Sequence, residues 1–393
     1  MKMIKKTGYL ILITFLAVSC TMKKSKEADN DVLNDSIADF GEMYMLVGTY
    51  TSKEGSKGIY LYKFDTNSGQ SDSVSMVEVA NPSYLVISPD ENFVYSVGEN
   101  GPEDSFAHSF SLDKNKGELK LLNSQHTHGS SPAYIALDAK GNNVITANYG
   151  GGSISQFNVN SDGTLSKMTN LFQLTGSGTD SIRQKQPHLH SVRYSPDGLF
   201  MFAADLGTDK IYRYKSIHSV FEGQPAFLEN DTVVFKAPEG TGPRHFDFHP
   251  NGLYFYLLGE LSGEVIVYDY NMGDLEQKQI VLADTVGARG SADIHVSPNG
   301  RFLYASNRLK TDGIAIFAID SQDGTLSKVG YQLTAKHPRN FAITPNGKFL
   351  LVAGRDDNVI QVYSVDKETG LLTDTHQDIA IDKPVCIKFT KLN

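Results

Sequence analysis

Apolar runs come in pairs along this chain, each pair split by a short polar corner. The run Tyr84-Leu-Val-Ile-Ser88 is followed by Pro89-Asp-Glu-Asn92 and then by Phe93-Val-Tyr-Ser-Val-Gly98. Related corners stand at Asp138-Ala-Lys-Gly141, Ser195-Pro-Asp-Gly198, His249-Pro-Asn-Gly252, Ser297-Pro-Asn-Gly300 and Thr344-Pro-Asn-Gly347. Proline fixes φ at the first corner, and Asn-Gly or Asp-Gly accepts positive φ at the second, so each copy predicts a β-hairpin. Measured between Pro89, Ala139, Pro196, Pro250, Pro298 and Pro345, the intervals are 50, 57, 54, 48 and 47 residues. Such near-constant spacing marks a repeat architecture.

Two weaker strand-like runs follow each hairpin, as in Ser153-Ile-Ser-Gln-Phe-Asn-Val159 ahead of the turn at Gly163. Four strands per repeat is the unit of a propeller blade. A seventh repeat is split between the chain ends: residues 385–390 read as a lone first strand, and 43–48, 58–64 and 73–79 read as the second, third and fourth. The expected fold is therefore all-β, a seven-bladed β-propeller of four-stranded blades whose ring is closed by a C-terminal strand, which protects both edges. A pair of antiparallel sandwiches is the competing architecture, and it gives no reason for the equal spacing.

Residues 1–19 stand outside this pattern. Lys2, Lys5 and Lys6 precede a short apolar run over 9–18, and Ala17-Val-Ser-Cys20 ends it with small residues before a cysteine. This is similar to a bacterial lipoprotein signal, with Cys20 as the lipidated residue; an ordinary cleaved signal or an uncleaved anchor also fits. The run is too short for a spanning helix. Residues 20–42 are polar and aperiodic, a flexible tether with a reach of roughly 25 Å. The expectation is a monomeric domain over 43–393, exported to the bacterial envelope and touching membrane only through its lipid. Cys386 is then the one remaining cysteine, a core residue, and no internal disulfide forms.

The formal charge of −9 becomes −12 once the three signal lysines are removed. That sign argues against a nucleic-acid partner. Tryptophan is absent, which excludes the Trp-Asp signature of WD40 repeats.

In a blade the first strand lines the central channel and the second runs back beside it, so the start of one and the end of the other emerge on the same face. Before the first strands stand His126, His128, His188, His190, Arg244, His245, Arg289, His337, Arg339 and Lys383. After the second strands stand Glu99, Asn148, Tyr149, Asp205, Glu260, Asn307, Arg308, Arg355 and Asp356. Charges gathered from different blades are costly to bury unless they serve one another or a ligand, so this mouth is the expected site. His188 and His190 with Glu260 could hold zinc, but no third ligand has a telling spacing, and no metal is expected.

The motifs Leu46-Val-Gly-Thr-Tyr50, Gln186-Pro-His-Leu-His190, Ala204-Asp-Leu-Gly-Thr-Asp209, Gly242-Pro-Arg-His245, Ala292-Asp-Ile-His-Val-Ser-Pro298 and Tyr304-Ala-Ser-Asn-Arg308 resemble the lactonase family of seven-bladed propellers. That family holds bacterial 6-phosphogluconolactonases and the fungal carboxy-cis,cis-muconate lactonizing enzymes. The resemblance covers the domain from about residue 43 onward. It implies hydrolysis or formation of a lactone, a small sugar or sugar-acid substrate, and no cofactor. By motif it assigns the catalytic histidine to His188 or His190, the arginines to Arg244 and to Arg308 with Arg289 in reserve, and the glutamate to Glu260. His245, Arg289, Asn148, Asp205, Asn307 and Arg339, at the same mouth, are expected to bind substrate. An exported domain would not meet a cytosolic phosphorylated metabolite, so the implied chemistry is firmer than the phosphate.

A histidine can activate water, Glu260 can orient it or return the proton, and arginines can hold an oxyanion. No Gly-x-Ser-x-Gly elbow is evident, so no serine acyl-enzyme is expected. Replacing Arg244 or Glu260 by alanine is expected to remove turnover and to leave melting nearly unchanged. A non-catalytic tethered propeller that grips a carbohydrate or organic acid is the alternative from another class.

Overall fold

The structure is a computed structural model that describes residues 40–217 and 226–392. The expected signal, Cys20 and the expected tether up to residue 39 lie outside the described residues. Seven antiparallel sheets follow one another along the chain, each ordered from an inner first strand to an outer fourth. Blade I combines Pro384–Lys391 with Glu42–Thr49, Gly58–Asp65 and Ser71–Glu78. The inner strands of blades II to VII are Leu85–Ile87, Pro132–Leu137, Leu189–Tyr194, Pro243–Phe248, Ser291–Val296 and Pro338–Ile343. Each touches the next, and Pro384–Lys391 touches both Leu85–Ile87 and Pro338–Ile343, so the ring closes. The closing strand pairs from Met43 against Lys391 to Gly48 against Cys386, which places Cys386 in the core as a buried free thiol. Blade VII carries one extra short strand, Ile379–Ala380.

The hairpin corners form as their residues dictate. Gly141, Gly198, Gly252, Gly300 and Gly347 all sit at φ between 70° and 73°, the left-handed region that glycine enters without a Cβ clash. Blade II puts Glu91 there instead, at φ 57°, and its carboxylate is held by Lys114 at 2.6 Å. Burial peaks at the second strand and falls toward the rim: Phe349–Gly354 is buried throughout, while the outer strand Ser71–Glu78 has no fully buried residue. That gradient is why the outer strands gave the weaker sequence pattern.

Blades are joined by a recurring tyrosine. Six residues after the corner proline, Tyr95, Tyr256 and Tyr304 donate their hydroxyls to the carbonyls of Gly163, Gly324 and Gly370 in the following blade, at 2.9 to 3.1 Å. A phenol that spans the gap and ends in a satisfied hydrogen bond does the packing for which no tryptophan is present.

Candidate active site

Two positions of the repeat build one mouth of the channel. The first lies ten residues after the corner proline, just past the second strand: Glu99, Tyr149, Leu206, Glu260, Arg308 and Arg355, with Tyr50 their counterpart in blade I. The N–H of each donates to the carbonyl just ahead of its own first strand (Asn81, Ser131, His188, Gly242, Gly290, His337 and Lys383) at 2.8 to 3.2 Å. This bond pins the side chain at the top of the blade.

The second position is a β-bulge. Pro243 pairs with Gly259 and His245 with Leu258, which leaves Arg244 as an extra residue in the inner strand of blade V. His190 and Arg339 are the extra residues in blades IV and VII. A bulge breaks the in-out alternation and re-aims a side chain. Here it turns His190, Arg244 and Arg339 into the channel together with His245 and Asn340, the residues that follow Arg244 and Arg339, and all five line one narrow cavity.

Glu260 is the hub. Its carboxylate accepts from Arg244 Nε and Arg183 Nη2 at 2.7 Å each, and Arg308 Nη2 lies 3.4 Å away. Burial alone would raise this carboxyl, but the guanidiniums of Arg308, Arg244 and Arg183 override it and hold its pKa at about 2. Arg244 is 1% exposed, and its Nη1 donates to the Ala292 carbonyl. Arg308 donates from Nε to the Gly290 carbonyl at 2.7 Å and from Nη1 to His337 Nε2 at 3.2 Å. Burial and the neighbouring Arg244 pull Arg308 down, to about 9, still a cation at neutral pH. Burial, then Arg308, holds His337 at about 3, so it accepts that bond as a neutral imidazole.

Across the mouth, Tyr50 donates to Glu99 at 2.8 Å, and Arg339 lies 3.6 Å from Glu99 and above the Tyr50 ring. Four guanidiniums (Arg183, Arg244, Arg308, Arg339) thus face two carboxylates, Glu260 and Glu99, a surplus of two positive charges.

The two histidines of the Pro-His-Leu-His motif differ in setting. His188 stacks on Tyr149 with ring centroids 4.5 Å apart. Its Nδ1–H donates to the Tyr149 carbonyl at 2.8 Å, which makes Nε2 the basic nitrogen, and its backbone N–H is fixed by Asp205 at 2.7 Å. His190 is buried against Tyr149 and His245. Burial, then the charges of Arg244 and its neighbours, depresses it well below an ordinary imidazole.

Asn148, Asp205 and Asn307, expected at the substrate, are engaged within the protein. All three are buried with their polar atoms committed: Asn148 donates to Ser153 and Ser155, Asp205 accepts from His188, Gly207 and Thr208, and Asn307 bonds Ser291 and the Ala283 carbonyl. They hold the mouth's loops. His245 is buried with Nδ1 on Asp293 at 2.7 Å. Arg289 sits at the rim, half exposed and paired with Asp180.

Glu99 and Tyr149 stand at the mouth where the sequence put them, and Tyr50 joins them from the Leu46–Tyr50 motif, although none of the three was assigned a role. Arg183 is the site residue that sequence reasoning did not single out. Arg183 comes from the irregular connection between blades III and IV, where no repeat signal exists. Three cations converge on this one buried carboxylate, so loss of Glu260 is expected to cost stability as well as turnover.

A family model for the seven-bladed β-propeller lactonases matches residues 44–389. The chain belongs to this family. It is 38% identical over 348 residues to the 6-phosphogluconolactonase of Formosa agariphila, covering 86% of this chain and 97% of that protein. A crystal structure from Bacteroides fragilis, provisionally named a 6-phosphogluconolactonase, superposes with a TM-score of 0.86 at 50% identity over 89% of this chain and 98% of the other. The periplasmic gluconolactonase of Pseudomonas aeruginosa superposes with a TM-score of 0.83 at 31% identity, over 90% and 100% of the two chains.

Proposed function

We infer that this chain hydrolyses a lactone, and that its substrate is a sugar lactone carrying an anionic group, phosphate or carboxylate. Membership of the lactonase family supports the reaction. The observation that carries the substrate class is the mouth's surplus of two guanidiniums over carboxylates. Unpaired buried cations are costly, and an anion supplies what the protein leaves out.

Water attacks the lactone carbonyl while His188 Nε2 takes its proton. The carbonyl oxygen becomes an oxyanion and accepts from Arg244, whose Nε and Nη1 are occupied by Glu260 and Ala292 and whose Nη2 remains. The ring C–O bond then breaks, and the His188 imidazolium returns the proton to the departing oxygen. Glu260, held at about 2, is too weak a base for this proton and serves to fix three guanidiniums. Arg339, tied only loosely to Glu99, takes the anionic substituent.

Acid release above the spontaneous rate, from glucono-δ-lactone, 6-phosphogluconolactone and glucaro-1,4-lactone, tests this reading with Arg244→Met as control. Acceleration that the variant loses supports it; equal rates in both proteins sink it. We further propose export, with residues 1–19 as signal and Cys20 as lipid site, a reading supported by the small-residue cleavage motif and by the periplasmic relative. Fractionation of cells expressing wild type and Cys20→Ser should move the protein from membrane to soluble fractions, and an unchanged distribution would reject the anchor.

A further inference from the structure

The opposite mouth of the channel holds a second cavity, of about 410 Å³. Small-molecule sites run from roughly 300 to 1,000 Å³. The position three residues before the corner builds its inner wall: Arg193, Asp247 and His295 in blades IV to VI, Lys388 in blade I, and valine or alanine in the rest.

Three of these four charged residues are neutralised within the protein. Arg193 pairs with Asp247 at 2.7 Å. His295 lies between Asp293, at 3.0 Å, and Asp247, at 3.8 Å. Burial opposes its charge, but the two carboxylates raise it to about 9, so it is an imidazolium at neutral pH. Arg193, His295 and Lys388 therefore face Asp247 and Asp293, and the surplus charge falls on Lys388. Among the described residues its Nζ has only the Tyr84 hydroxyl, at 3.3 Å, and it lies 4.6 Å above the Tyr84 ring. Tyr84 in turn stacks on Tyr134 at 3.9 Å, and Ile87 and Leu137 continue the same wall as an apolar surface.

We propose that this distal mouth is a second binding site, for a small monocarboxylate with a flat or branched apolar body. The carboxylate pairs with Lys388, and the body lies along Tyr84 and Tyr134 toward Leu137. A carboxylate is the counter-ion that the protein does not supply, and the aromatic pair with Ile87 and Leu137 offers an apolar wall for the body. The layer of His245, Asp293 and Asn340, joined by hydrogen bonds, lies between this cavity and the first mouth, so the two sites bind separate molecules.

The test is calorimetry of the whole protein with benzoate, using benzyl alcohol as the neutral control. Saturable benzoate binding is expected, weakened tenfold or more by Lys388→Met and by Ile87→Trp, which fills the cavity from another blade. Arg308→Met should leave it within twofold, and benzyl alcohol should bind at least tenfold more weakly. Should Lys388→Met fail to fold, Ile87→Trp decides. No saturation by about 10 mM, unchanged binding in Ile87→Trp, or loss in Arg308→Met instead, overturns the proposal.

Discussion

Replacing Glu260 by glutamine removes the one carboxylate on which Arg183, Arg244 and Arg308 converge while keeping its shape. The Glu260 carboxyl falls from an ordinary 4.5 to about 2 in the folded protein. At about 1.4 kcal/mol per pH unit this is about 3 kcal/mol of stability. Breaking a buried ion pair by removing one partner independently costs about 3–5 kcal/mol. The folded value lies below the unfolded one, so the stabilisation is complete above pH 4.5 and gone below about pH 2. The variant lacks it at every pH. The gap between the proteins should therefore be about 3 kcal/mol at pH 7 and about 1 kcal/mol at pH 3. Urea unfolding followed by far-UV ellipticity measures this, since no tryptophan is present to report. A gap under about 1 kcal/mol at pH 7 is what an exposed pair gives, and it would refute the buried hub. So would a gap that does not close with acid.

Arg308→Lys keeps the charge but removes the planar fork that reaches Gly290, His337 and Glu260 together, and should destabilise the protein by about 1–3 kcal/mol in urea unfolding. His188→Gln should cost about 10²–10⁴ in kcat and His190→Gln less than tenfold, because only His188 has its tautomer set with Nε2 as base; steady-state rates of both variants separate the roles, and a reversed order would transfer the base to His190. Tyr256→Phe deletes the hydroxyl bonded to Gly324 and should destabilise the protein by about 1 kcal/mol in urea unfolding, with no change in turnover.

The fold was legible because hairpin corners carry their own signal. Proline and glycine report the backbone at one end of every blade, and counting between them fixed the number of repeats and the closing strand. The site was legible as a face. Arg244, Glu260 and Arg308 are brought together as the motifs implied, but burial decides which polar residues at a mouth are free. Asn148, Asp205 and Asn307 stand one residue before the register that faces the mouth, and sequence alone does not show which of the two neighbouring registers points there. His190, Arg244 and Arg339 enter the channel through a bulge, a one-residue shift that strand periodicity cannot reveal. Arg183 lies in a connection of irregular length, and only the folded chain brings it to Glu260.

On the proposed function, surplus positive charge in this mouth selects an anionic lactone. The most direct measurement is the ratio of kcat/KM for 6-phosphogluconolactone and for glucaro-1,4-lactone to that for neutral glucono-δ-lactone, in wild type and in Arg339→Gln. One charge-assisted hydrogen bond is worth about 1.5–3 kcal/mol, so at least one wild-type ratio should exceed about ten and fall toward one in the variant. Ratios near one in the wild type, with the neutral lactone opened as fast as the charged ones, would contradict the account.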